Sequence, residues 1–261
     1  MTQERLHAAK LCLHCIDLTS LNVTDSRKSI HTWINMANGL KSDFPHLPYF
    51  AAICVYPNFI QTVKEHLQLD GVHIAATTAA FPASQSFLEI KCKETQMAVQ
   101  AGADEVDIVI SVGEFLSGNQ SFVLEELKAL KQAAGTAHVK TILETGALPS
   151  TSAIKEASHL AMEAGADMIK TSTGKIAISA TPEAGQAMAE AIKEYYQKTG
   201  REVGLKIAGG VSTTDQALVY YDIVKEVLGE HWLNNKRFRI GASRLFNDLL
   251  SNIEGKTINY I

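Results

Sequence analysis

Strand-like apolar runs alternate with helix-like patterns along the whole chain, and this alternation constrains the fold more than any other feature. The strand-like runs are residues 14–18, 50–55, 72–78, 104–110, 138–144, 167–172, 204–209 and 238–242. The helical patterns lie near residues 26–38, 57–68, 84–101, 119–134, 150–164, 182–198, 213–228 and 243–252. Strands and helices in strict alternation build a parallel sheet, and eight such units in 261 residues fit one closed barrel.

The predicted fold is therefore of the α/β class: a single (β/α)8 TIM barrel over residues 1–261, with a short N-terminal helix. A doubly wound sheet is the alternative. It is disfavoured because the glycine fingerprint of dinucleotide-binding folds does not follow an early strand.

Composition and charge narrow the classes of partner. The formal net charge is -4, and no basic stripe with interleaved aromatics is present, which argues against nucleic acid. A membrane span would need about 18 consecutive apolar residues, and the sequence has no such run. The first residues, MTQERLHAAKLCLHC, lack the apolar core of a signal peptide. We predict a cytoplasmic protein whose partners are small molecules.

The four cysteines are Cys12, Cys15, Cys54 and Cys92. Cys12 and Cys15 form one C-x-x-C motif, but a structural zinc site needs a second pair of ligands, and none follows at a suitable spacing. Buried free thiols are the better interpretation, and no metal site is predicted.

Charged residues interrupt four of the apolar strand runs: Asp107, Lys140 with Glu144, Lys170, and Lys206. A buried charge is costly unless it is paired or its pKa is shifted. One interpretation is an ion-pair layer inside the barrel, such as Lys140 with Asp107 or Glu144. This explanation is weaker for Lys170 and Lys206, since these strands carry more lysines than obvious acidic partners.

An internal similarity places two of these charges at equivalent positions. Residues 98–110 align with residues 161–173, which puts Asp107 and Lys170 three residues after the aspartate of a Gly-Ala-Asp turn. Because side chains alternate along a strand, both should face the same side of the barrel. A lysine beside a second cation in a dry site loses its proton easily and can form a Schiff base. Lys170 would then attack, Lys206 would lower its pKa, and Asp107 would move protons through water.

Three glycine-containing strand ends are typical of phosphate binding. They are STGK (172–175), AGGVST (208–213) and IGASR (240–244). Glycine lets backbone N–H groups approach an anion, and a helix that follows favours negative charge at its N-terminus. The last two follow strands 7 and 8, where barrels commonly bind phosphate.

Taken together, these segments resemble the deoxyribose-phosphate aldolases, a family of class I aldolases with a TIM barrel. The matching segments are IDLTSLN (16–22), AAICVYPNFI (51–60), AGADEVDIVI (101–110), ILETG (142–146), AGADMIKTSTGK (164–175), ATPE (180–183), KIAGGVST (206–213) and IGAS (240–243). They span almost the whole chain in the family's order.

The resemblance implies a lyase that reversibly cleaves 2-deoxy-D-ribose 5-phosphate to D-glyceraldehyde 3-phosphate and acetaldehyde, without a metal or organic cofactor. It implies Lys170 as the Schiff-base lysine, Lys206 as the residue that tunes its pKa, and Asp107 as the proton relay. A homodimer is possible. The candidate substrate-binding residues are Asp17, Thr19, Asn22, Cys54, Thr173, Gly174, Lys175, Gly209, Gly210, Ser212, Gly241, Ser243 and Arg244. For several of these a structural role is the alternative: core packing for Cys54, loop stabilisation for Asp17, and pairing with acids for Lys175.

The chain departs from the family pattern at three loops. Ser212 stands where the family often has arginine, and Arg244 stands where it often has serine. We hypothesise that Arg244 supplies part of the lost positive charge; the alternative is that it points to solvent. Phe81-Pro82 is followed by Ala83-Ser84, where the family often has histidine and glycine.

Tyr260, the penultimate residue, is a candidate proton shuttle, because some members of the family use a tyrosine in a mobile tail. A frayed chain end is the more common state of such a terminus. Other functions left open are a Schiff-base aldolase for a related phosphosugar and a non-catalytic phosphosugar-binding barrel.

Overall fold

A closed barrel of eight parallel strands forms the centre of the molecule, in a computed structural model that describes residues 2–261. Each strand pairs with its neighbour in sequence, and β1 pairs with β8 to close the barrel. The strands β1 to β8 are Ile16–Thr19, Ala52–Val55, His73–Thr77, Glu105–Val109, His138–Ile142, Met168–Lys170, Gly204–Ala208 and Phe238–Ala242. The predicted (β/α)8 TIM barrel is confirmed.

Helices surround the barrel and connect its strands. The helices α1 to α11 are Gln3–His14, Arg27–Asn38, Leu40–Asp43, Ile60–His66, Leu88–Ala101, Val112–Leu116, Gln120–Ala134, Thr151–Glu163, Pro182–Thr199, Thr214–Val227 and Leu245–Glu254. Short 3-10 turns lie at Pro57–Phe59, Thr145–Ala147 and Glu230–Trp232. Within residues 2–261, no helix combines the length and the apolar character needed to cross a membrane.

The N-terminal helix α1 differs from the prediction in its extent. It continues to His14, where Cys15 N–H still donates to Leu11 C=O, so β1 begins two residues later than the apolar run suggested. Cys12 and Cys15 are buried free thiols, as predicted. Burial raises the pKa of the Cys15 thiol to about 12, which keeps it protonated and unreactive at neutral pH.

The two Gly-Ala-Asp turns explain the internal similarity. Gly102 directly follows α5, and Gly165 lies two residues after the end of α8. Their φ angles are 112° and 101°, a backbone conformation that glycine adopts without steric cost. Each following aspartate accepts a backbone N–H from the preceding strand. Asp104 accepts from Ile74 and Asp167 from Val139, both at 2.8 Å. The turns therefore fix the start of β4 and β6 in the same way.

Small residues on some strands make room for long charged side chains from others. Ala52, Cys54 and Ala75 form a separate buried cluster on β2 and β3. A Cβ at Gly241 on β8 would lie 3.1 Å from Lys206 Cε, so a larger residue there would crowd that lysine. The charged side of the barrel interior thus packs against a side built from alanine, cysteine and glycine.

Candidate active site

Seven buried charged side chains occupy the barrel interior. They are Asp17, Glu105, Asp107, Lys140, Lys170, Lys206 and Arg239, none more than 3% exposed. The strand register places them together, since Asp107 is paired with Lys140 across β4 and β5, and Lys170 with Lys206 across β6 and β7. Four of the seven are basic and three are acidic, so full ionisation would leave one uncompensated positive charge.

Asp107 is the centre of this cluster. Its Oδ2 accepts hydrogen bonds from Lys170 Nζ and Lys206 Nζ, both at 2.7 Å, and its Oδ1 accepts from Lys140 Nζ at 3.1 Å. Burial alone would raise the pKa of the carboxyl group, but the three lysines outweigh burial and hold its pKa well below the ordinary value. Asp107 is therefore a carboxylate that three ammonium groups share.

The second acidic centre lies deeper in the barrel. Lys206 Nζ is 2.5 Å from Asp17 Oδ2, and Arg239 donates to Asp17 Oδ1 at 2.5 Å and to Glu105 Oε1 at 2.8 Å. Lys140 also contacts Asp17 and Glu105. The layer of ion pairs predicted for Lys140 thus exists.

Two predictions are affected by this layer: the candidate sugar contact of Asp17 is wrong, and of the two acids suggested for Lys140 only Asp107 is its partner. Asp17 is fully buried among basic side chains and is not available to a sugar. Lys140 does not pair with Glu144, whose carboxylate is turned towards Thr173 instead. Sequence reasoning missed Glu105 and Arg239, although each interrupts an apolar strand run and so carried the same signal as Asp107.

Lys170 differs from the other interior lysines in its protonation. Burial, followed by the neighbouring Lys206 cation, lowers its pKa from the ordinary value against the opposing effect of Asp107. Burial also disfavours the charged form of Lys206, but Asp107 and Asp17 outweigh this and raise the Lys206 pKa. The surplus positive charge of the interior is therefore relieved most easily at Lys170, whose amine is the one most ready to lose its proton.

A cavity of about 420 Å³ opens above this cluster at the carboxyl ends of the strands. Its walls come mainly from the ends of β1, β6, β7 and β8 and the loops that follow them, together with one residue of α2 and the C-terminal residue. They comprise Thr19, Ser20, Leu21, Asn22, Trp33, Lys170, Thr173, Gly174, Lys175, Ala208, Gly209, Gly210, Val211, Ser212, Gly241, Ala242, Ser243, Arg244 and Ile261. Among the three lysines bound to Asp107, Lys170 is the one that reaches this wall.

Most of the predicted substrate-binding residues line the cavity. Asp17 and Cys54 do not: Cys54 is fully buried beside the lysines, and burial followed by Asp107 raises its thiol pKa. Asn22 lines the wall but also holds its own loop, since its backbone N–H donates to Asp25 Oδ2 at 2.9 Å. Trp33 and Ile261 also line the cavity, and neither residue was predicted from the sequence.

The loop after β6 departs from the predicted phosphate-binding geometry. Thr173 N–H donates to Glu144 Oε1 at 3.1 Å, and Lys175 N–H donates to Thr173 Oγ1 at 3.0 Å. Two of the backbone donors of STGK are therefore already used inside the protein. Lys175 also does not pair with an acid, because its Nζ donates to the carbonyl oxygen of Leu21 across the cavity.

The C-terminal segment is packed rather than frayed. Asn247 Oδ1 accepts the backbone N–H groups of Tyr260 and Ile261 at 2.9 Å and 3.0 Å. The Tyr260 hydroxyl donates to Asp43 Oδ2 at 2.6 Å, and its ring packs edge-on against Phe44. This arrangement does not bring Tyr260 to Lys170, while its neighbour Ile261 contributes to the cavity wall.

Comparison with known proteins places the chain in a family. The sequence profile described as DeoC/LacD family aldolase matches residues 12–227. The deoxyribose-phosphate aldolase of Bos taurus is 38% identical over 245 residues, which cover 90% of this chain and 77% of that protein. The deoxyribose-phosphate aldolase of Homo sapiens is 41% identical over 201 residues, covering 76% of this chain and 63% of that protein.

Among solved structures, the deoxyribose phosphate aldolase from Aeropyrum pernix, described as a tetramer, superposes with a TM-score of 0.72. It is 22% identical, and the match covers 97% of this chain and 98% of that one. At this identity the similarity concerns the fold.

Proposed function

This chain belongs to the DeoC/LacD family of aldolases, and we propose that it reversibly cleaves 2-deoxy-D-ribose 5-phosphate through a Schiff base on Lys170. The products would be D-glyceraldehyde 3-phosphate and acetaldehyde, in the catabolism of deoxyribose phosphates released from deoxynucleosides. The proposal includes action in the cytoplasm, without a metal or organic cofactor, by residues 1–261 as one catalytic domain and as a homodimer.

One observation carries this proposal: Lys170 combines access to the cavity with a lowered pKa, whereas Lys206 is enclosed and has a raised pKa. A neutral amine at the base of a cavity can attack a carbonyl group. A phosphosugar-binding protein without catalysis would gain nothing from burying this cluster, because each buried ion has a desolvation cost.

The cleavage steps follow from these positions. The Lys170 amine adds to the C1 aldehyde of the open-chain sugar, and loss of water gives an iminium ion. The C3 hydroxyl then loses its proton as the C2–C3 bond breaks, and the bonding electrons move into the iminium to form an enamine. Protonation of the enamine at C2 and hydrolysis release acetaldehyde and restore the amine.

Proton movements are assigned to the pair next to Lys170. Asp107 Oδ2 touches both Lys170 Nζ and Lys206 Nζ, so a proton can pass between the two amines through one carboxylate or through a water molecule beside it. Lys206, held in its charged form, stabilises the carboxylate during these transfers. Lys175 and Arg244 line the same cavity and supply positive charge for the phosphate group.

Borohydride trapping tests the proposal directly. The protein is incubated with acetaldehyde or 2-deoxyribose 5-phosphate and reduced, and the modified residue is mapped by mass spectrometry. We expect the label on Lys170 with both compounds, together with release of acetaldehyde from the sugar phosphate. A label on Lys206 or Lys140 would contradict the assigned roles, and the absence of any label would overturn the Schiff-base mechanism.

Replacing Lys206 with methionine is expected to move the acidic limb of the pH–rate profile upwards by roughly one pH unit. Without Lys206, the interior no longer holds a surplus positive charge, and Asp107 is left to stabilise the protonated form of Lys170. The Lys170 pKa should therefore rise, so that a higher pH is needed to generate the free amine. The measurement is the rate of acetaldehyde trapping against pH. A limb that stays in place or moves to lower pH would contradict this electrostatic role.

A further inference from the structure

We propose that Glu144 is a positioning residue for substrate binding, acting through the loop after β6. This loop, residues 171–181 and called here the β6 loop, carries Thr173 and Lys175 into the cavity wall. The inference rests on the proposed function, because it takes the cavity to be the phosphosugar site. Glu144 itself does not line the cavity and is only 5% exposed.

Both carboxylate oxygens of Glu144 are used on one residue. Oε1 accepts the backbone N–H of Thr173 at 3.1 Å, and Oε2 accepts its hydroxyl proton at 2.5 Å. Glu144 has left-handed backbone angles, φ 55° and ψ 55°, which residues other than glycine rarely adopt. Such a conformation persists where surrounding contacts hold it, and here it directs the side chain at Thr173.

The hydrogen bond to Oε2 also determines what Thr173 can do next. Because the hydroxyl donates to Glu144, its lone pairs are left to accept, and one of them accepts the backbone N–H of Lys175 at 3.0 Å. The Lys175 side chain then crosses to the carbonyl oxygen of Leu21 in the loop after β1. A continuous chain of contacts thus runs from Glu144 to a cation at the cavity.

A second contact with the same loop lies at Gly146, two residues after Glu144. A Cβ at Gly146 would lie 2.0 Å from the carbonyl oxygen of Ile178. The loop therefore approaches position 146 so closely that only glycine fits there. The segment 144–146 therefore holds the β6 loop at both Thr173 and Ile178.

The two hydrogen bonds from Thr173 favour a carboxylate at position 144. A glutamine could still accept from the Thr173 N–H, but its amide group would donate to the hydroxyl instead of accepting from it. Thr173 Oγ1 would then face two donors, the amide and Lys175 N–H, while its own proton lost its acceptor. We expect Thr173 and Lys175 to move out of their present geometry.

Glu144→Gln is the test. We expect the KM for 2-deoxyribose 5-phosphate to rise about tenfold while kcat changes less than about threefold, since a charge-assisted hydrogen bond is lost away from the reacting atoms. The KM for unphosphorylated deoxyribose should rise less, and trapping of acetaldehyde on Lys170 should keep its rate. Gly146→Ala, which displaces the same loop at Ile178, should show the same pattern.

Asp104→Asn is the matched control. Asp104 also accepts a backbone N–H, that of Ile74 at 2.8 Å, but it precedes β4 at the opposite end of the barrel from the cavity. It should leave KM unchanged. A readout that does not depend on activity is hydrogen exchange, in which the Thr173 and Lys175 amides of Glu144→Gln should exchange faster than in wild type.

The possible results separate this inference from the proposed function. Unchanged KM and unchanged exchange at Thr173 and Lys175 would overturn the positioning role. If Glu144→Gln slowed acetaldehyde trapping on Lys170 as much as it raised KM, the positioning role would also be overturned, because Glu144 would then act at the reacting atoms. If the wild-type protein does not cleave the sugar phosphate, the proposed function fails, and the two amides still decide whether Glu144 holds the loop.

Discussion

Replacing Lys170 with methionine is expected to lower kcat for cleavage of 2-deoxyribose 5-phosphate by about 10⁴-fold or more, because the nucleophile of the Schiff-base mechanism is lost. The stability of the fold should be retained or increased. Four basic and three acidic side chains occupy the interior, so removing this cation leaves three of each. The measurements are steady-state turnover and the free energy of unfolding in urea.

Retained stability is an unusual prediction for the loss of a buried ionic residue, and it follows from the excess of basic over acidic side chains in the interior. Removing one partner of a buried ion pair commonly costs about 3–5 kcal/mol, since an uncompensated charge stays behind. Asp107 keeps Lys206 and Lys140 when Lys170 is absent. We therefore expect a change in unfolding free energy of less than about 1 kcal/mol, or a gain.

Lys91 provides the contrast for the stability measurement. It is also buried, but it lies on α5 and pairs with a single acid, Glu126 on α7. Replacing Lys91 with methionine should lower the free energy of unfolding by about 3–5 kcal/mol, because the buried Glu126 carboxylate loses its partner. Equal destabilisation by the two substitutions would show that the surplus charge in the barrel interior does not exist in solution.

The sequence was sufficient to predict the barrel because each of its units is encoded locally. Every strand is a short apolar run bounded by turn residues, and such a run can be read without knowing its neighbours. The charges that interrupt those runs identified Asp107, Lys140, Lys170 and Lys206 as interior residues. The repeated Gly-Ala-Asp turn even related the strand positions of Asp107 and Lys170, since the same backbone contact begins both strands.

The partners of these charges could not be predicted in the same way. Alternation shows which side of a strand a residue faces, but it does not give its depth along the barrel. Asp17 was predicted to bind substrate or stabilise a loop, whereas it lies among Lys140, Lys206 and Arg239. Glu144 was one of the two acids suggested for Lys140, but its left-handed backbone turns it towards Thr173.

Asp107→Asn is expected to be the most destabilising single substitution in this cluster. It leaves four basic side chains with two acidic partners, and it replaces the carboxylate that Lys140, Lys170 and Lys206 share with a neutral amide that has only one accepting oxygen. We expect a loss of about 3–5 kcal/mol of unfolding free energy at pH 7. Turnover should fall by about 10²–10⁴-fold, because the proton relay is removed. Urea unfolding and steady-state kinetics measure the two effects.

Two further measurements decide the electrostatic explanation even if this variant folds poorly. The pKa of Asp107 is lowered in the folded state, so its contribution to stability is present above the unfolded value of about 3.9 and is lost as the pH falls below it. Wild-type stability should therefore decline on acidification below about pH 4 more steeply than that of the variant. Adding Lys170→Met to Asp107→Asn should recover part of the lost stability, since it removes one of the cations left without an acceptor. If the double variant is less stable than Asp107→Asn alone, Lys170 does not carry the surplus charge, and the basis for its lowered pKa is removed.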